Sequence, residues 1–161
     1  MGSGYELSCK KCGFTRDIHL GISFRYPVRC ADILEEMKNG AFGKEFMADA
    51  NSIPHAAVHY EETIFLCDHC GNWKTDMKID LCAPEGEYRG HKGRFSTAFD
   101  YPKDMPYVLK CEMGETYRVV RSKPYRCSKC GHALRTVKKN EKGRCPKCGG
   151  ALKKSAGILW D

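Results

Sequence analysis

Four copies of one five-residue motif, Cys-x-x-Cys-Gly, constrain this 161-residue chain more than any other feature. Two thiolates three residues apart can grip one metal ion if the backbone turns tightly around it, with amides pointing at the sulfurs. The residue after the second cysteine then favours a positive φ, which glycine adopts at little cost. Two such turns facing each other supply four sulfurs at about 2.3 Å in a tetrahedron that suits Zn²⁺. The predicted ligands are Cys9, Cys12, Cys67, Cys70, Cys127, Cys130, Cys145 and Cys148.

Two other chemistries use the same motif. A redox Cys-x-x-Cys of the thioredoxin type occurs once, between a strand and a helix, whereas here the motif recurs among short strand-like runs. Rubredoxins bind iron through two such turns, and Cys145-Pro146-Lys147-Cys148-Gly149 is similar to one of them. This segment lacks the aromatic cage of a rubredoxin, so we expect zinc.

The spacing of the motifs predicts how they pair. Only the short segment 131–144 separates Cys130 from Cys145, which is within the range of one zinc ribbon. We therefore expect the last two motifs to share one ion. By elimination the first two share the other, across the long segment 13–66 between Cys12 and Cys67.

Two zinc ions per chain are expected to be structural rather than catalytic. All four positions around each ion are taken by sulfur, so no water site remains. A structural zinc contributes on the order of 10–16 kcal/mol to the folding of small peptides, whereas a whole domain is stable by only about 5–15 kcal/mol. Loss of metal should therefore unfold each ribbon.

The remaining cysteines and the N-terminus bear on the compartment. No apolar stretch resembling a secretory signal or a membrane helix is visible, so we expect a cytoplasmic protein whose thiols stay reduced. Cys30 falls on an apolar helix face and is expected in the core. No role can be assigned to Cys82 or Cys111 from the sequence.

Hydrophobic periodicity indicates a small α+β fold with two four-cysteine ribbons of short antiparallel strands. Apolar residues at helical spacing, from Cys30 to Met37 and again from Phe42 to Ala50, predict two helices inserted in the first ribbon, at about 28–50. Asn39-Gly40 is a plausible end of the first helix. We predict an N-terminal ribbon over 1–82, a Pro- and Gly-rich linker over 83–106 and a basic C-terminal ribbon over 107–161.

Positive charge is concentrated near the C-terminus. From Arg118 to Lys154 there are 13 Lys and Arg against one acid, whereas the rest of the chain has 14 basic and 19 acidic residues. Four thiolates and one Zn²⁺ add −2 per site, which leaves the asymmetry in place. Such a ribbon could grip DNA or RNA through phosphate, or an acidic protein. Solubility, or docking on the acidic N-terminal half, would explain the same charge.

Candidate nucleic-acid contacts follow from this charge, with Tyr117 and Tyr125 as aromatic residues that could stack on bases. The basic candidates are Arg126, Lys129, Arg135, Lys138, Lys139, Arg144 and Lys147.

Two further functions are weighed against a binding module of this kind. An enzyme or redox protein would place an active site around His19, His55 and His59, although no recognisable catalytic motif accompanies them. An adaptor would use the helical insert or the tail around Trp160 to bind another protein. Neither the ligand nor the oligomeric state can be read from the sequence.

The order of the motifs resembles that in a set of uncharacterised bacterial zinc-ribbon-containing proteins, mostly from Firmicutes. The resemblance rests on LGISFRYP from Leu20, NGAFGKEF from Asn39, IFLCDHCGNW from Ile64, and the late CSKCG and CPKCGG motifs. It implies zinc binding and a bacterial cytosolic setting, and it supplies no substrate and no catalytic residue.

Overall fold

The structure is a computed structural model that describes residues 2–88, 104–137, 143–155 and 157–160. It is a small α+β arrangement of two helices and a mostly antiparallel sheet. In chain order the elements are β1 (Gly2–Ser8), β2 (Thr15–Gly21), α1 (Tyr26–Lys38), α2 (Lys44–Ser52), β3 (Ala57–Leu66), β4 (Trp73–Pro84), β5 (Tyr117–Ser122), β6 (Arg135–Thr136), β7 (Lys153–Lys154) and β8 (Ile158–Trp160).

The chain forms two compact units, and each is discontinuous in sequence. The first unit contains Met1–Ser23, Glu61–Met77 and Pro124–Asp161, and the second contains Phe24–Tyr60 and Lys78–Lys123. The domain boundaries predicted from the sequence follow one another along the chain, and they stay a prediction. Most of the predicted linker over 83–106 lies outside the described residues.

Antiparallel strand pairs at both chain ends build the first unit. β1 pairs with β2 along its whole length, and β2 meets β3 at Gly21 and Glu62. On its other edge β1 pairs with β7 and with β8, which carries Trp160. β6 pairs with β3 directly before the Cys67 motif. The last described strand, β8, therefore lies beside the first, β1.

The second unit has the larger apolar core. The predicted face of α1 is confirmed, because Cys30, Ile33, Leu34 and Met37 are all buried. Asn39 follows α1 as its C-cap, and Gly40 has a φ of +85°, as the predicted helix end requires. In α2 the inward residues include Phe46 and Ala50, whereas Met47 is exposed.

An aromatic cluster surrounds the start of α1. Tyr26 is fully buried, with its ring 5.0 Å from that of Tyr60 and 6.1 Å from that of Tyr107. Its hydroxyl donates to the carbonyl oxygen of Val108. A buried hydroxyl needs such a partner, because an unmade hydrogen bond costs about 1–3 kcal/mol. This bond fixes the N-terminal end of α1 in the core of the second unit.

Candidate metal centre

Each of the four Cys-x-x-Cys-Gly motifs forms the same turn. In each, the amide of the first cysteine donates to the carbonyl five residues later, at 2.8 Å. The glycine amide donates back to the carbonyl of the first cysteine, at 2.8–2.9 Å. The four glycines have φ angles from +69° to +73°, and they are Gly13, Gly71, Gly131 and Gly149. The predicted left-handed glycine is confirmed in every copy.

Cysteines from the two ends of the chain meet in what we call the outer site, formed by Cys9, Cys12, Cys145 and Cys148. The sulfurs of Cys9 and Cys148 are 3.5 Å apart, and those of Cys12 and Cys145 are 3.6 Å apart. Gly150 is next to this site: a Cβ there would lie only 3.4 Å from the sulfur of Cys9. The outer site thus joins the first cysteine motif of the chain to the last.

The other four cysteines form the inner site, which comprises Cys67, Cys70, Cys127 and Cys130. Three of its sulfur–sulfur distances are 3.4, 3.5 and 3.6 Å. The amide nitrogen of the Asn72 side chain lies 3.7 Å from the sulfur of Cys127, close enough to donate a weak hydrogen bond. In the sequence, the four cysteines of the inner site all lie between Cys12 and Cys145 of the outer site.

The predicted pairing of the motifs is therefore wrong. The Cys127 motif does not share a site with the Cys145 motif, although the two are neighbours in the sequence. Strand pairing gives the reason. β6, which follows the Cys127 motif, pairs with the end of β3 before Cys67, and β7, which follows the Cys145 motif, pairs with the end of β1 before Cys9. The strand that follows each late motif thus places that motif beside one of the two early motifs.

The sulfur geometry fits a tetrahedral ion in both sites. Four sulfurs at about 2.3 Å from one ion would lie about 3.8 Å from each other. The observed distances of 3.4–3.6 Å are slightly shorter, and all eight thiols are free of disulfides. Each tetrad could therefore hold one metal ion, with two sites in the chain. Iron and zinc share this geometry, so the identity of the metal stays a prediction.

Backbone amides prepare the first cysteine of two motifs for metal. Burial by itself raises the pKa of Cys127, but the amides of Lys129 and Cys130 and the side chain of Asn72 lower it to about 6. The same balance of burial against backbone amides lowers the pKa of Cys9 to about 7. Such thiols are substantially ionised at neutral pH, and the thiolate is the form that binds metal.

The second cysteine of the same motifs behaves in the opposite way. The amide of Phe14 lowers the pKa of Cys12, but burial and the neighbouring sulfurs outweigh it and raise the pKa to about 12. The amide of His132 is similarly outweighed at Cys130, whose pKa also rises to about 12. Four negative sulfurs this close repel one another. A cation must therefore replace protons before either tetrad is fully ionised.

Trp73 connects the two sites within the first unit. It lies two residues after the Cys67 motif, and its indole N–H donates to the carbonyl of Arg144, one residue before Cys145, at 2.9 Å. Its buried ring meets that of Phe14, which follows the Cys9 motif, edge to face at 6.4 Å. The guanidinium of Arg16 lies over the same ring, 5.4 Å from its centre. This role of Trp73 could not be predicted from the sequence, because its partners are distant along the chain.

The predicted nucleic-acid contacts have different surroundings. Arg126, Lys129, Arg144 and Lys147 are exposed and form no salt bridge with a described residue. Arg135 is instead held by Asp68, with three nitrogen–oxygen distances of 2.8–3.0 Å. Lys138 and Lys139 lie outside the described residues.

The structure adds basic residues that the linear charge count missed. Lys10 and Lys11 belong to the Cys9 motif and are exposed. The outer site places them beside the Cys145 motif, which carries Lys147. Lys11 lies so close to the residue after this motif that a Cβ added to Gly150 would be 3.6 Å from the Cβ of Lys11. Only the cysteine pairing reveals this group, since its members come from opposite ends of the sequence. Conversely, Arg121 in the second unit binds Glu45 and Asp49.

The two tyrosines predicted to stack on bases are not available for stacking. Tyr117 is 2% exposed and belongs to the second unit, where it packs with Cys82 and Val108. Tyr125 is 7% exposed, its ring centre is 4.1 Å from that of Phe65, and its hydroxyl donates to the carbonyl of Met77. Both rings serve as core, so this part of the prediction is wrong.

The three histidines of the enzyme alternative have separate surroundings. His19 is an exposed residue of β2 in the first unit. In the second unit His59 is buried, with Nδ1 2.8 Å from the hydroxyl of Tyr26 and 2.9 Å from the carbonyl of Val108. His55 has a φ of 54° and stacks on Tyr88, with ring centres 4.2 Å apart. None of them joins a group of candidate metal ligands among the described residues.

The three cysteines outside the tetrads differ in exposure. Cys30 is fully buried, as expected from the helix face, and Cys82 is fully buried as well. Burial raises the pKa of Cys82 to about 12, so this thiol stays protonated at neutral pH. Cys111 is exposed.

No protein-family model, curated protein or solved structure matches the chain. Across the described residues, the helices are too short or too polar to span a bilayer.

Proposed function

We propose that the chain is a zinc-stabilised, non-enzymatic binding module that contacts the phosphates of nucleic acid with the exposed basic residues around its outer site. The observation that carries this proposal is the meeting of two lysine-bearing motifs from opposite ends of the chain. The two motifs of the outer site carry Lys10, Lys11 and Lys147, and Arg144 directly precedes the second of these motifs. None of the three lysines forms a salt bridge with a described residue. We name these four residues the basic face.

Electrostatics supports the basic face as the contact surface. The first unit has 14 basic and 8 acidic residues, a formal charge of +6, and two ions with their eight thiolates reduce it to about +2. The second unit has 13 basic and 12 acidic residues, a charge of +1. Lysines without a salt bridge can gain affinity for phosphate by releasing counterions from the nucleic acid. An arginine that is already paired, such as Arg135, would gain less affinity in this way.

The absence of a water position supports a binding role over catalysis. Both sites are closed by four sulfurs, which is the pattern of structural zinc. Since Tyr117 and Tyr125 are buried, phosphate contacts rather than base stacking would supply the affinity. We also propose that the metal is zinc and that the protein works in the cytoplasm, where thiols stay reduced.

Binding can be tested by fluorescence anisotropy with a fluorescein-labelled 15-base-pair duplex and the full-length, zinc-loaded protein. The triple variant Lys10→Glu, Lys11→Glu, Lys147→Glu should weaken binding at least tenfold at low salt. It should also flatten the slope of log K against log salt by about 2.7, because each duplex phosphate contact contributes about 0.9.

A matched variant carries the same charge change in the second unit. Arg25→Glu, Lys44→Glu, Arg118→Glu alters three exposed basic residues and should weaken binding less than threefold. Zinc content is measured for both variants. Equal losses in the two triples, or no binding by the unmodified protein at low salt, would refute the phosphate-binding proposal. Competition by polyglutamate in place of DNA would assign the basic face to an acidic protein.

A further inference from the structure

Two histidines beside the inner site have no place in the functions considered above. His69 is the third residue of the Cys67 motif, and His132 directly follows Gly131 of the Cys127 motif. Both are exposed, yet their rings are stacked, with centres 3.9 Å apart and an interplanar angle of 7°. One ligand atom from each of His69, His132 and Cys130 lies within 4.8 Å of the others.

We propose that His69, His132 and Cys130 form a third metal site on the rim of the inner site, which takes a divalent ion such as Zn²⁺ or Ni²⁺. Cys130 would share its thiolate between this ion and the inner ion. The inference rests on the proposed occupancy of the inner site by metal, and the experiment below measures that occupancy separately.

The ligand chemistry suits ions of this class. Imidazole binds zinc, nickel and copper well, and thiolate favours the softer members of the series. The Nδ1 atom of His132 is 3.1 Å from the carbonyl oxygen of Cys130. With Nδ1–H as the donor of that bond, Nε2 carries the free lone pair. A ligating histidine commonly has its other nitrogen bound to a backbone carbonyl in this way.

Charge also favours a further cation here. Four thiolates around one divalent ion leave the inner site with a net charge of −2, and a second divalent ion beside it would neutralise that charge. Three protein ligands leave a fourth position for water, as in zinc sites that are open rather than structural. The third ion would therefore exchange more readily than the two structural ions.

A modest rearrangement completes the site. Nitrogen ligands at 2.0–2.1 Å from a tetrahedral ion lie about 3.4 Å apart, and the three ligand atoms here lie within 4.8 Å of one another, so they need to approach by at most about 1.4 Å. Parallel rings also direct their lone pairs in parallel, so one ring must rotate to face the ion. Because both side chains are exposed, no core packing opposes that rotation.

The stoichiometry of bound metal tests the site. We expect the full-length protein, dialysed against low-micromolar zinc, to hold three ions, and the variant His69→Asn, His132→Asn to hold two. The control variant His19→Asn, His55→Asn removes two exposed histidines outside the cluster and should keep three. Asparagine tolerates the positive φ at position 55.

Cadmium NMR provides a readout that a merely structural role of the histidines would not move. The first two equivalents of ¹¹³Cd²⁺ should give two four-sulfur resonances. The third should add a nitrogen-containing site and shift only one of the first two, because Cys130 belongs to the inner site alone. Two ions in the unmodified protein, three in the His69 and His132 variant, or an unchanged inner resonance would each overturn the third site. Fewer than two ions would instead refute the proposed metal module.

Discussion

The two units of this protein differ in the side chains that they bury. Among the described residues, the buried apolar side chains of the first unit number eight, and four of them are the metal-site residues Cys9, Cys67, Cys127 and Cys145. The second unit buries eighteen, of which only Cys30 and Cys82 are cysteines. Burial of a large apolar side chain contributes about 1.5–3 kcal/mol, so the second unit has an ordinary hydrophobic source of stability. The first unit has fewer such side chains, so we expect the proposed metal ions to supply most of its stability.

This difference teaches where function can be placed. Short strands such as β6 and β7, each of two residues, could not hold the first unit together by their own hydrogen bonds. Metal bound in the two tetrads would hold it together without a large core, which would leave lysines such as Lys10, Lys11 and Lys147 exposed. A unit that is stabilised at cysteine sites needs few buried apolar residues, so its motifs can carry the exposed lysines of the basic face.

Chelation is expected to produce the largest difference in unfolding between the two units. Removal of metal with excess EDTA should unfold the first unit, because a structural zinc contributes on the order of 10–16 kcal/mol. The helices α1 and α2 of the second unit should persist. Hydrogen exchange, read by mass spectrometry, should rise in 61–77 and 124–137 but not in 26–38. Equal loss of protection in both units would show that the comparison is mistaken.

Paired serine substitutions should reveal which cysteines share an ion. Cys12→Ser, Cys148→Ser removes two ligands from the outer site and should leave one tightly bound metal per chain, at the inner site. Cys130→Ser, Cys148→Ser takes one ligand from each site and should leave none bound tightly. Metal analysis after gel filtration distinguishes the two outcomes. The pairing predicted from spacing would reverse them, so this experiment tests the tertiary assignment directly.

The two units should respond to alkaline pH with opposite signs. In the second unit burial raises the pKa of Cys82 from 9.0 to about 12, so the unfolded thiol ionises first and stability falls as pH rises from 9 to 12. In the first unit protons compete with metal for thiols such as Cys12 and Cys130. Metal affinity should therefore increase by at least about tenfold per unit between pH 7 and pH 9.

Urea denaturation followed by helix circular dichroism, and chelator competition, measure these two trends. Cys82→Ala should reduce the loss of stability of the second unit above pH 9. If metal affinity fell as pH rose, thiolate ligation would be contradicted.

The smallest expected effect concerns the link between the two sites. Trp73→Phe keeps an aromatic ring but loses the hydrogen bond to the carbonyl of Arg144, a net cost of about 1 kcal/mol. Release of zinc from the outer site to a colorimetric chelator should become about fivefold faster. Tyr125→Phe, which loses a hydroxyl bond to Met77 in the same unit, is the control and should leave that rate unchanged. Equal rates for the two variants would remove the role assigned to Trp73.

Local features of the fold were predictable from the sequence because their causes lie within a few residues. The turn of each motif depends on a cysteine, a glycine and bonds that stay within the motif and the residue after it, and all four copies follow it. The apolar face of α1 depends on residues three and four apart, and it is buried as predicted. The basic character of Lys129 and Lys147, and their exposure, follow from the same local chemistry.

Partners distant in the chain were not predictable in the same way. The burial of Tyr125 could not be predicted because its neighbours Phe65 and Met77 come from much earlier strands of the chain. The ion pair of Arg135, a candidate nucleic-acid contact, could not be predicted because its partner Asp68 is equally remote in the sequence. In both cases a residue type that often contacts ligands is satisfied by a contact within the chain.

The amino-acid sequence by itself determined eight candidate metal ligands, four identical turns and an amphipathic helix. Only the tertiary structure decided which turns come together in one candidate metal site. The physical reason is that each turn has the same local geometry, so the three possible pairings of four motifs cannot be distinguished locally. Strand pairing decides among them: β7 extends beside β1 and β6 beside β3, which joins Cys145 to Cys9 and Cys127 to Cys67. The basic face and the histidine pair both exist because of that choice.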